Sequence, residues 1–222
     1  MEKHKRLSQD QTGIPRIILG SSSPRRRELL GHITFHDVFA PDVEEKPKFG
    51  EKPDTYTIRN ATEKAAATLA ILNTGGMINT GNPAINAGPA IIIACDTIVV
   101  LDGQILEKPI DATDAKRMLA QLSGRTHTVI SGVCILAIDG TKALRDKAFK
   151  VETQVSIKSL TPPEIAAYVA TGEPMDKAGS YGAQGIGAYI IERIDGSYSN
   201  VVGLPLTELV QTLRDEFGVH LW

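Results

Sequence analysis

A nearly unbroken run of Ile, Val and Ala over residues 90–101 constrains the fold most strongly. A strand that is apolar on both faces is typical of the centre of a sheet that helices cover on both sides. The turn dipeptide Asp102-Gly103 follows directly, so we expect a β-hairpin with a short partner strand over 104–106. The run therefore predicts an α/β protein whose sheet contains at least one antiparallel pair.

The rest of the chain alternates between strand and helix patterns. A second hairpin signal, Asp139-Gly140, joins two long apolar stretches, so the sheet is predicted to be mixed rather than all parallel. Asp54, Asp111 and Thr161 are predicted helix caps. The other predicted strands are 17–19, 34–39, 126–138, 143–157 and 188–194, and the predicted helices are 24–30, 55–72, 111–122, 161–172 and 205–217.

Length and composition favour one domain. The chain has 222 residues, of which 42% are hydrophobic, enough to bury the core of one domain or of two closely joined lobes. We expect residues 1–13 to form a disordered tail and residues 14–222 to form a single domain with two lobes. The Gly-, Asn- and Pro-rich stretch at about 73–89 has no apolar period and indicates an insertion loop.

Charge and cysteine use exclude several classes of protein. The formal net charge is −2, whereas bulk nucleic-acid binding needs a basic face, so we expect no nucleic-acid partner. No apolar run approaches the roughly 20 residues of a membrane span, so we expect no membrane partner. Cys95 and Cys134 lie in apolar runs and are interpreted as small buried hydrophobes. This indicates a reducing compartment and a cytoplasmic protein.

The segment SSSPRRR at 21–27 follows a short apolar strand and begins a predicted helix. Ser23 is a good N-cap, and Pro24 suits the first helical position. The free N–H groups of a helix N-terminus attract anions, and serine hydroxyls and guanidinium groups match phosphate oxygens. The segment is therefore suited to a polyphosphate, although a capped helix with solvated arginines explains the local pattern equally well.

Asp96 is the first polar residue after the apolar stretch 90–95. A carboxylate in an apolar strand is costly unless it is paired or binds a metal. Because the active sites of α/β folds gather at strand ends, we interpret Asp96 as a metal ligand or general base in a crevice. The alternative is an aspartate satisfied by backbone N–H groups.

Other polar positions are weaker signals when each is taken alone. Glu44, Glu45 and Lys64 are interpreted by default as solvated charges. Lys108 ends the hairpin arm after the long strand and is predicted to reach the Asp96 site. The glycine-rich stretch 176–187 interleaves Asp, Lys, Tyr and Gln, which suits recognition of a base or sugar, with a flexible connector as the alternative.

The combination of these residues indicates phosphate chemistry. Glu45 and Asp96 are two acids that suit Mg²⁺ or Mn²⁺, hard ions that share oxygen ligands with substrate phosphates. The sequence has no His/Cys cluster with zinc spacing and no Gly-x-Ser-x-Gly nucleophile elbow. The cations available for phosphate are Arg25, Arg26, Lys64, Lys108 and Lys177.

The segments that carry chemistry resemble those of one family, in the same order along the chain. They are SSSPRR at 21–26, ACDT at 94–97, EKP at 107–109, LSGRTH at 122–127 and DKAGSYGAQG at 176–185. By these motifs the chain resembles the Maf family of nucleoside triphosphate pyrophosphatases, over roughly residues 14–222. Several motifs in one order are far more specific than a single short match.

The resemblance implies an inosine-triphosphatase-like fold, with a long twisted mixed sheet, flanking helices, two lobes and a central cleft. It implies hydrolysis of a nucleoside triphosphate to the monophosphate and pyrophosphate, with a divalent metal cation, and it implies a homodimer. The stretch 73–89 is longer than the family pattern predicts, and the N-terminal tail is extra. Neither touches a motif.

The resemblance also implies roles for individual residues. Asp96 matches the family's catalytic aspartate and base, and Lys64 and Lys108 match its lysines. Glu45 and Asp96 match the metal site. The positions predicted to bind phosphate and substrate are Ser21, Ser23, Arg25, Arg26 and, from the glycine-rich stretch, Lys177. In the implied reaction, water attacks the α-phosphorus, and the cations stabilise charge on the departing pyrophosphate.

Substrate choice is predicted from two further matches. In the branch that acts on dTTP and UTP, the aspartate is followed by Thr and the glycine loop contains Gln, which correspond to Thr97 and Gln184, and Arg25 is the third predicted specificity residue. A Gln amide offers a donor and an acceptor, which complement the imide of uracil or thymine. The alternatives are 7-methyl-GTP hydrolysis and a nucleotide-binding regulator of division with little turnover.

Overall fold

The computed structural model describes residues 15–31, 37–74 and 88–221. Within these residues seven strands form one sheet in the order β2-β1-β3-β5-β6-β7, with β4 paired to β3. The strands are β1 (Arg16–Gly20), β2 (Asp37–Phe39), β3 (Pro89–Leu101), β4 (Gln104–Leu106), β5 (Thr126–Asp139), β6 (Lys142–Ile157) and β7 (Ile191–Asp195). The helices are α1 (Pro24–Leu30), α2 (Pro53–Asn73), α3 (Ala112–Leu122), α4 (Pro162–Ala170), α5 (Tyr198–Val202) and α6 (Leu206–Phe217).

The apolar run at 90–101 is confirmed as the centre of a mixed sheet. β3 pairs in parallel with β1 and antiparallel with β4 and β5. β1 also pairs in parallel with β2, whereas β6 pairs antiparallel with β5 and β7. Both predicted hairpins form, between β3 and β4 and between β5 and β6.

Helices cover both faces of β3, which is why the run is apolar throughout. Successive side chains of a strand point to opposite faces. Ile92 and Ala94 pack in one cluster with α2, and Ile91 and Ile93 pack in another with α6. Full burial of one such Ile side chain stabilises a fold by roughly 1.5–3 kcal/mol, so the strand is a major contributor to the core. By the same alternation, Asp96 faces α2 and Thr97 faces the opposite side.

Helix α2 begins earlier than predicted and without the predicted cap. Lys52 is its N-cap and makes no side-chain capping bond, and Pro53 takes the first helical position. The prediction that Asp54 caps this helix is wrong, because Asp54 falls inside the first turn, where its Oδ1 accepts the Thr55 N–H at 2.8 Å. The predicted caps of α3 and α4, by contrast, are confirmed.

Two elements near the C-terminus differ from prediction. A short 3₁₀ turn over Gly185–Ile190 delays β7, which begins at Ile191 instead of residue 188. Helix α5 was not predicted, because five residues are too few to show a helical period. The predicted tail at 1–13 and most of the predicted insertion loop at 73–89 lie outside the described residues. In the part of the chain that the structure describes, no helix has both the length and the apolarity to cross a membrane.

A glycine in β5 lets helix α2 approach the sheet. Gly132 pairs with Asp96 across the β3–β5 ladder. A Cβ at Gly132 would lie 2.7 Å from the backbone nitrogen of Ile58, and the carbonyl oxygen of Thr57 is nearer still. The backbone of α2 therefore rests directly on β5 beside Asp96, and any larger residue would push the helix away.

We expect Gly132→Ala to destabilise the fold by roughly 1–3 kcal/mol, because its methyl group overpacks a contact between two backbones. The measurement is the free energy of unfolding from urea denaturation. Gly103→Ala is the control: Gly103 has a φ of +76° but open space around it, so only backbone strain of about 1 kcal/mol is expected there. A Gly132→Ala variant as stable as the parent protein would contradict the close approach.

Candidate active site

A cavity of about 300 Å³ opens beside the carboxyl end of β1 and the middle of β3. Every residue with a predicted catalytic, metal-binding, phosphate-binding or specificity role lies on its wall. These residues are Ser21, Ser23, Arg25, Arg26, Glu45, Lys64, Asp96, Thr97, Lys108, Lys177 and Gln184. They come from distant parts of the chain, so the sheet order and the placement of α1 and α2 assemble the site.

Asp96 is buried and held by two side chains of α2. Lys64 and Asn60 are one helical turn apart on the face of α2 that covers β3. Lys64 Nζ donates to Asp96 Oδ1 at 2.8 Å, and Asn60 Nδ2 donates to Asp96 Oδ2 at 3.0 Å. Burial acts to raise the pKa of Asp96, but the Lys64 ammonium, with Arg26 and the Asn60 amide, outweighs burial and holds that pKa below its usual value. Asp96 is therefore ionised at neutral pH.

Lys64 also joins Asp96 to Glu45. Its Nζ lies 2.8 Å from Glu45 Oε2, on the loop before α2. The default interpretation of Lys64 as a solvated helix lysine is wrong, because its side chain is only 9% exposed and bridges two carboxylates. Glu45 is 43% exposed, whereas Asp96 is buried. Lys64 therefore connects a carboxylate in contact with solvent to a buried one.

Glu107 is a third acid in this group, and sequence reasoning missed it. Tyr56 Oη donates to Glu107 Oε1 at 3.0 Å. Burial, and then the nearby carboxylates of Asp96 and Glu45, raise the pKa of Glu107. The available signal was the EKP motif at 107–109, directly after β4, in which only the lysine has a predicted role.

Arg26 connects the serine-rich segment to β3. Its Nη1 donates to Ser21 Oγ at 3.1 Å and its Nη2 to Thr97 Oγ1 at 3.0 Å. Its Nε donates to the Gly203 carbonyl oxygen, just after α5, at 2.8 Å. The Thr97 hydroxyl also lies 2.8 Å from Ser131 Oγ. The guanidinium is thus fixed in orientation at the cavity wall before any substrate binds.

Arg25 and Lys177 both contact Asp176. Arg25 Nη1 donates to Asp176 Oδ2 at 3.0 Å, which joins α1 to the glycine-rich stretch, and Lys177 Nζ donates to Asp176 Oδ1 at 2.7 Å. Burial acts to raise the pKa of Asp176, but these two cations outweigh it and lower that pKa. Ser23 caps α1, as predicted, by accepting the Arg26 N–H.

The donor set fits a hard divalent cation shared with phosphate. Asp96, Glu45 and Glu107 present carboxylate oxygens to one cavity, and oxygen ligands are those that Mg²⁺ and Mn²⁺ prefer. Among the described residues, no group of three acidic, His or Cys side chains is arranged to hold a metal ion by itself. The Lys64 ammonium already pairs with one oxygen of Asp96 and one of Glu45, which leaves fewer carboxylate oxygens for a metal ion. A divalent cation here would therefore need substrate oxygens as further ligands.

A buried His–Tyr pair supports the wall formed by the glycine-rich stretch. His127 Nε2 lies 2.7 Å from Tyr181 Oη, and their rings meet edge to face with centroids 5.3 Å apart. Only 2% of His127 is exposed, and its Nδ1 has no hydrogen-bond partner within the described structure. Burial lowers the pKa of His127 to about 4, so the imidazole is neutral at pH 7.

The family model described as Maf-like protein matches residues 16–216. The chain belongs to the Maf family. This confirms the family that the motifs predicted.

Relatives in this family are similar along nearly their whole length. A dTTP/UTP pyrophosphatase of Shewanella oneidensis is 48% identical over 206 residues, which cover 90% of this chain and 97% of the relative. A dTTP/UTP pyrophosphatase of Geobacter metallireducens is 49% identical over 202 residues, 90% of this chain and 95% of the relative. Among solved structures, the Ham1 protein of Staphylococcus aureus matches with a TM-score of 0.42 and 16% identity, over 79% of each chain.

We expect the buried imidazole to make stability depend on pH. In the unfolded chain His127 takes up a proton near pH 6.5, whereas in the folded protein its pKa is about 4. Stability is therefore fully present above pH 6.5 and is lost by up to about 3 kcal/mol as the pH falls towards 4.

The measurement is the free energy of unfolding between pH 7 and pH 4 for the parent protein and for His127→Asn. We expect the substitution to flatten this dependence. His220→Asn, at an exposed histidine, is the control and should keep the parent slope. Equal slopes for the parent and His127→Asn would show that the imidazole is not held neutral.

Proposed function

We propose that this chain hydrolyses dTTP and UTP to the nucleoside monophosphate and pyrophosphate. The observation that carries the proposal is one cavity in which the Asp96–Lys64–Glu45 cluster lies together with Arg25 and Arg26. Two relatives with 48% and 49% identity are named dTTP/UTP pyrophosphatases, which supports this choice. The predicted homodimer and cytoplasmic location stay predictions.

The cations of the cavity would bind the triphosphate and stabilise the leaving pyrophosphate. Fixed donors aimed at developing charge need no reorganisation during the reaction. Arg26 is held in place by three hydrogen bonds, and Lys108 is exposed on the cavity wall. Arg25 and Lys177 share the carboxylate of Asp176, so phosphate oxygens would compete with that carboxylate for both cations.

Asp96 would act as the base for the attacking water. In the free protein Lys64 holds the pKa of Asp96 low, which makes the carboxylate a weak base. If phosphate oxygens draw the Lys64 ammonium away, burial of Asp96 is opposed only by Arg26 and the Asn60 amide, and the pKa of Asp96 rises. Proton uptake by Asp96 would thus be favoured when substrate is bound.

A divalent cation is part of this proposal. Glu45, Glu107 and the Asp96 oxygen that does not take up the proton would hold it together with the substrate phosphates. When bound, such an ion neutralises phosphate charge and polarises a phosphoryl oxygen. Asn60 keeps the Asp96 carboxylate in a fixed orientation towards the cavity.

Recognition of the base would fall to Gln184, with Thr97 acting through Arg26. The Thr97 hydroxyl contacts Arg26, Ser131 and the Gly203 carbonyl, so its groups are already engaged inside the protein. Gln184 lies on the cavity wall between glycines and has no such set of bonds among the described residues. A regulator with little turnover is the less favoured alternative, because binding alone has no need for a buried carboxylate held by a lysine.

We expect Asp96→Asn to lower the turnover of UTP and dTTP at least about 100-fold, because the amide cannot accept the proton. The measurement is chromatography of the products with Mg²⁺ or Mn²⁺ and a panel of UTP, dTTP, CTP, GTP, ATP and 7-methyl-GTP. Asp102→Asn is the matched control, since Asp102 is 68% exposed and pairs with Arg125 outside the cavity.

Monophosphate and pyrophosphate from UTP or dTTP would support the proposal. Diphosphate and phosphate as products, or nucleotide binding without turnover, would overturn it. Turnover of 7-methyl-GTP ahead of UTP would favour the other branch of the family.

We expect Gln184→Glu to lower the preference for UTP over CTP by roughly tenfold. A carboxylate cannot donate to a uracil carbonyl, but it accepts from the amino group of cytosine. The measurement is kcat/KM for the two nucleotides. Gln121→Glu, on the exposed face of α3, is the control, and an unchanged preference in Gln184→Glu would exclude a role of Gln184 in base recognition.

A further inference from the structure

Gln184 lies in the segment 182–187, which we call the Gln184 turn. One carboxylate outside this turn, that of Glu173, binds its backbone. Glu173 lies at the start of the short 3₁₀ turn Glu173–Asp176. Its Oε2 accepts the backbone N–H of Ile186 at 2.8 Å, and its Oε1 accepts the backbone N–H of Gly187, also at 2.8 Å. The two N–H groups that follow Gln184 by two and three residues are thus bound to a single side chain.

Tyr168, on helix α4, connects the same carboxylate to the other end of the turn. Its hydroxyl donates to Glu173 Oε1 at 2.9 Å and accepts the backbone N–H of Gly182 at 3.2 Å. The backbone is therefore tied two residues before Gln184 and again two and three residues after it. We call Glu173 and Tyr168, with the three backbone N–H groups that they bind, the Glu173 cage.

Packing leaves this turn little freedom. A Cβ at Gly187 would clash with the backbone carbonyl oxygen of Gly182 and with Tyr168 Oη. Gly185 has a φ of +69°, which side chains with a Cβ rarely adopt. Burial acts to raise the pKa of Glu173, but the two backbone N–H groups and the Tyr168 hydroxyl outweigh it and lower that pKa. The carboxylate is thus an ionised acceptor, the stronger kind.

We propose that Glu173 is a positioning residue that shapes the turn before substrate binds, so that the Gln184 amide faces the base with little ordering left to do. Fixing a recognition group in advance lowers the entropic cost of binding. The inference deepens the proposed function and rests on it, since Glu173 does not line the cavity and its carboxylate binds the backbone of the turn.

The test compares Glu173→Gln with the parent protein. The amide keeps the size of the side chain, but its NH₂ group replaces an oxygen that accepts hydrogen bonds. The NH₂ group would face N–H or O–H donors of the cage, so at least one of these bonds is lost. We expect KM for UTP to rise about tenfold with kcat within about threefold, and the preference for UTP over CTP to fall. We also expect the amides of Ile186 and Gly187 to exchange hydrogen faster in the substrate-free protein.

Two further variants separate positioning from general stability. Asp114→Asn is the matched control, because Asp114 also accepts a backbone N–H, that of Ile110, and also pairs with a side chain, Arg117, but lies outside the cavity. It should lower stability without changing KM. Tyr168→Phe removes both cage bonds of the hydroxyl and should change KM in the same direction as Glu173→Gln, and it replaces that variant if Glu173→Gln does not fold.

An unchanged KM, or a fall in kcat alone, in a folded cage variant would overturn the inference. Failure of the proposed function is a distinct result: the parent protein would then show no turnover of any nucleotide. In that case the hydrogen exchange of Ile186 and Gly187 still decides whether Glu173 shapes the turn.

Discussion

The structure depends on the pairing of a buried carboxylate with a lysine across two layers. Asp96 lies on the central strand, where an unpaired charge would cost far more than the fold can supply. Lys64 and Asn60 satisfy both carboxylate oxygens from helix α2. This is possible only because Gly132 lets the helix backbone lie on the sheet. The contact of Asp96 with Lys64 and Asn60 therefore has two effects: it holds helix α2 on the central strand, and it forms part of the wall of the cavity.

Several cations of the cavity are paired with acidic side chains. Lys64 bridges Glu45 and Asp96, and Asp176 binds both Arg25 and Lys177. Lys64, Arg25 and Lys177 are thus each paired with an acid in the free protein, which limits repulsion among the cations in a small space. A triphosphate would replace these acids as the partner of the cations. Binding would then free the carboxylates to accept a proton or to hold a divalent cation. The same residues could thus stabilise the free protein and take part in phosphate chemistry.

Much of the fold could be predicted because its signals are local. The apolar run of β3, the two hairpin dipeptides and the Thr161 cap of α4 are each read from one short stretch of sequence. The short helix α5 and the late start of β7 were missed because tertiary packing, rather than a periodic pattern, holds such short elements. For the site, motif resemblance assigned roles to residues on one cavity wall but assigned none to Glu107, although it lies in the EKP motif, or to Glu173. A lone glutamate carries no local pattern that distinguishes a buried partner from a solvated charge.

The sequence by itself determined the class of the fold, the succession of strands and helices along the chain except α5, the serine- and arginine-rich helix start and the family. These depend on periodicity, turn chemistry and motif order, all of which are written along the chain. Only the tertiary structure decided which charges meet. In the structure Lys64 bridges Glu45 and Asp96, and Glu173 binds the backbone next to Gln184. Such pairings depend on the distance between segments far apart in sequence, and that distance exists only once helices have packed on the sheet.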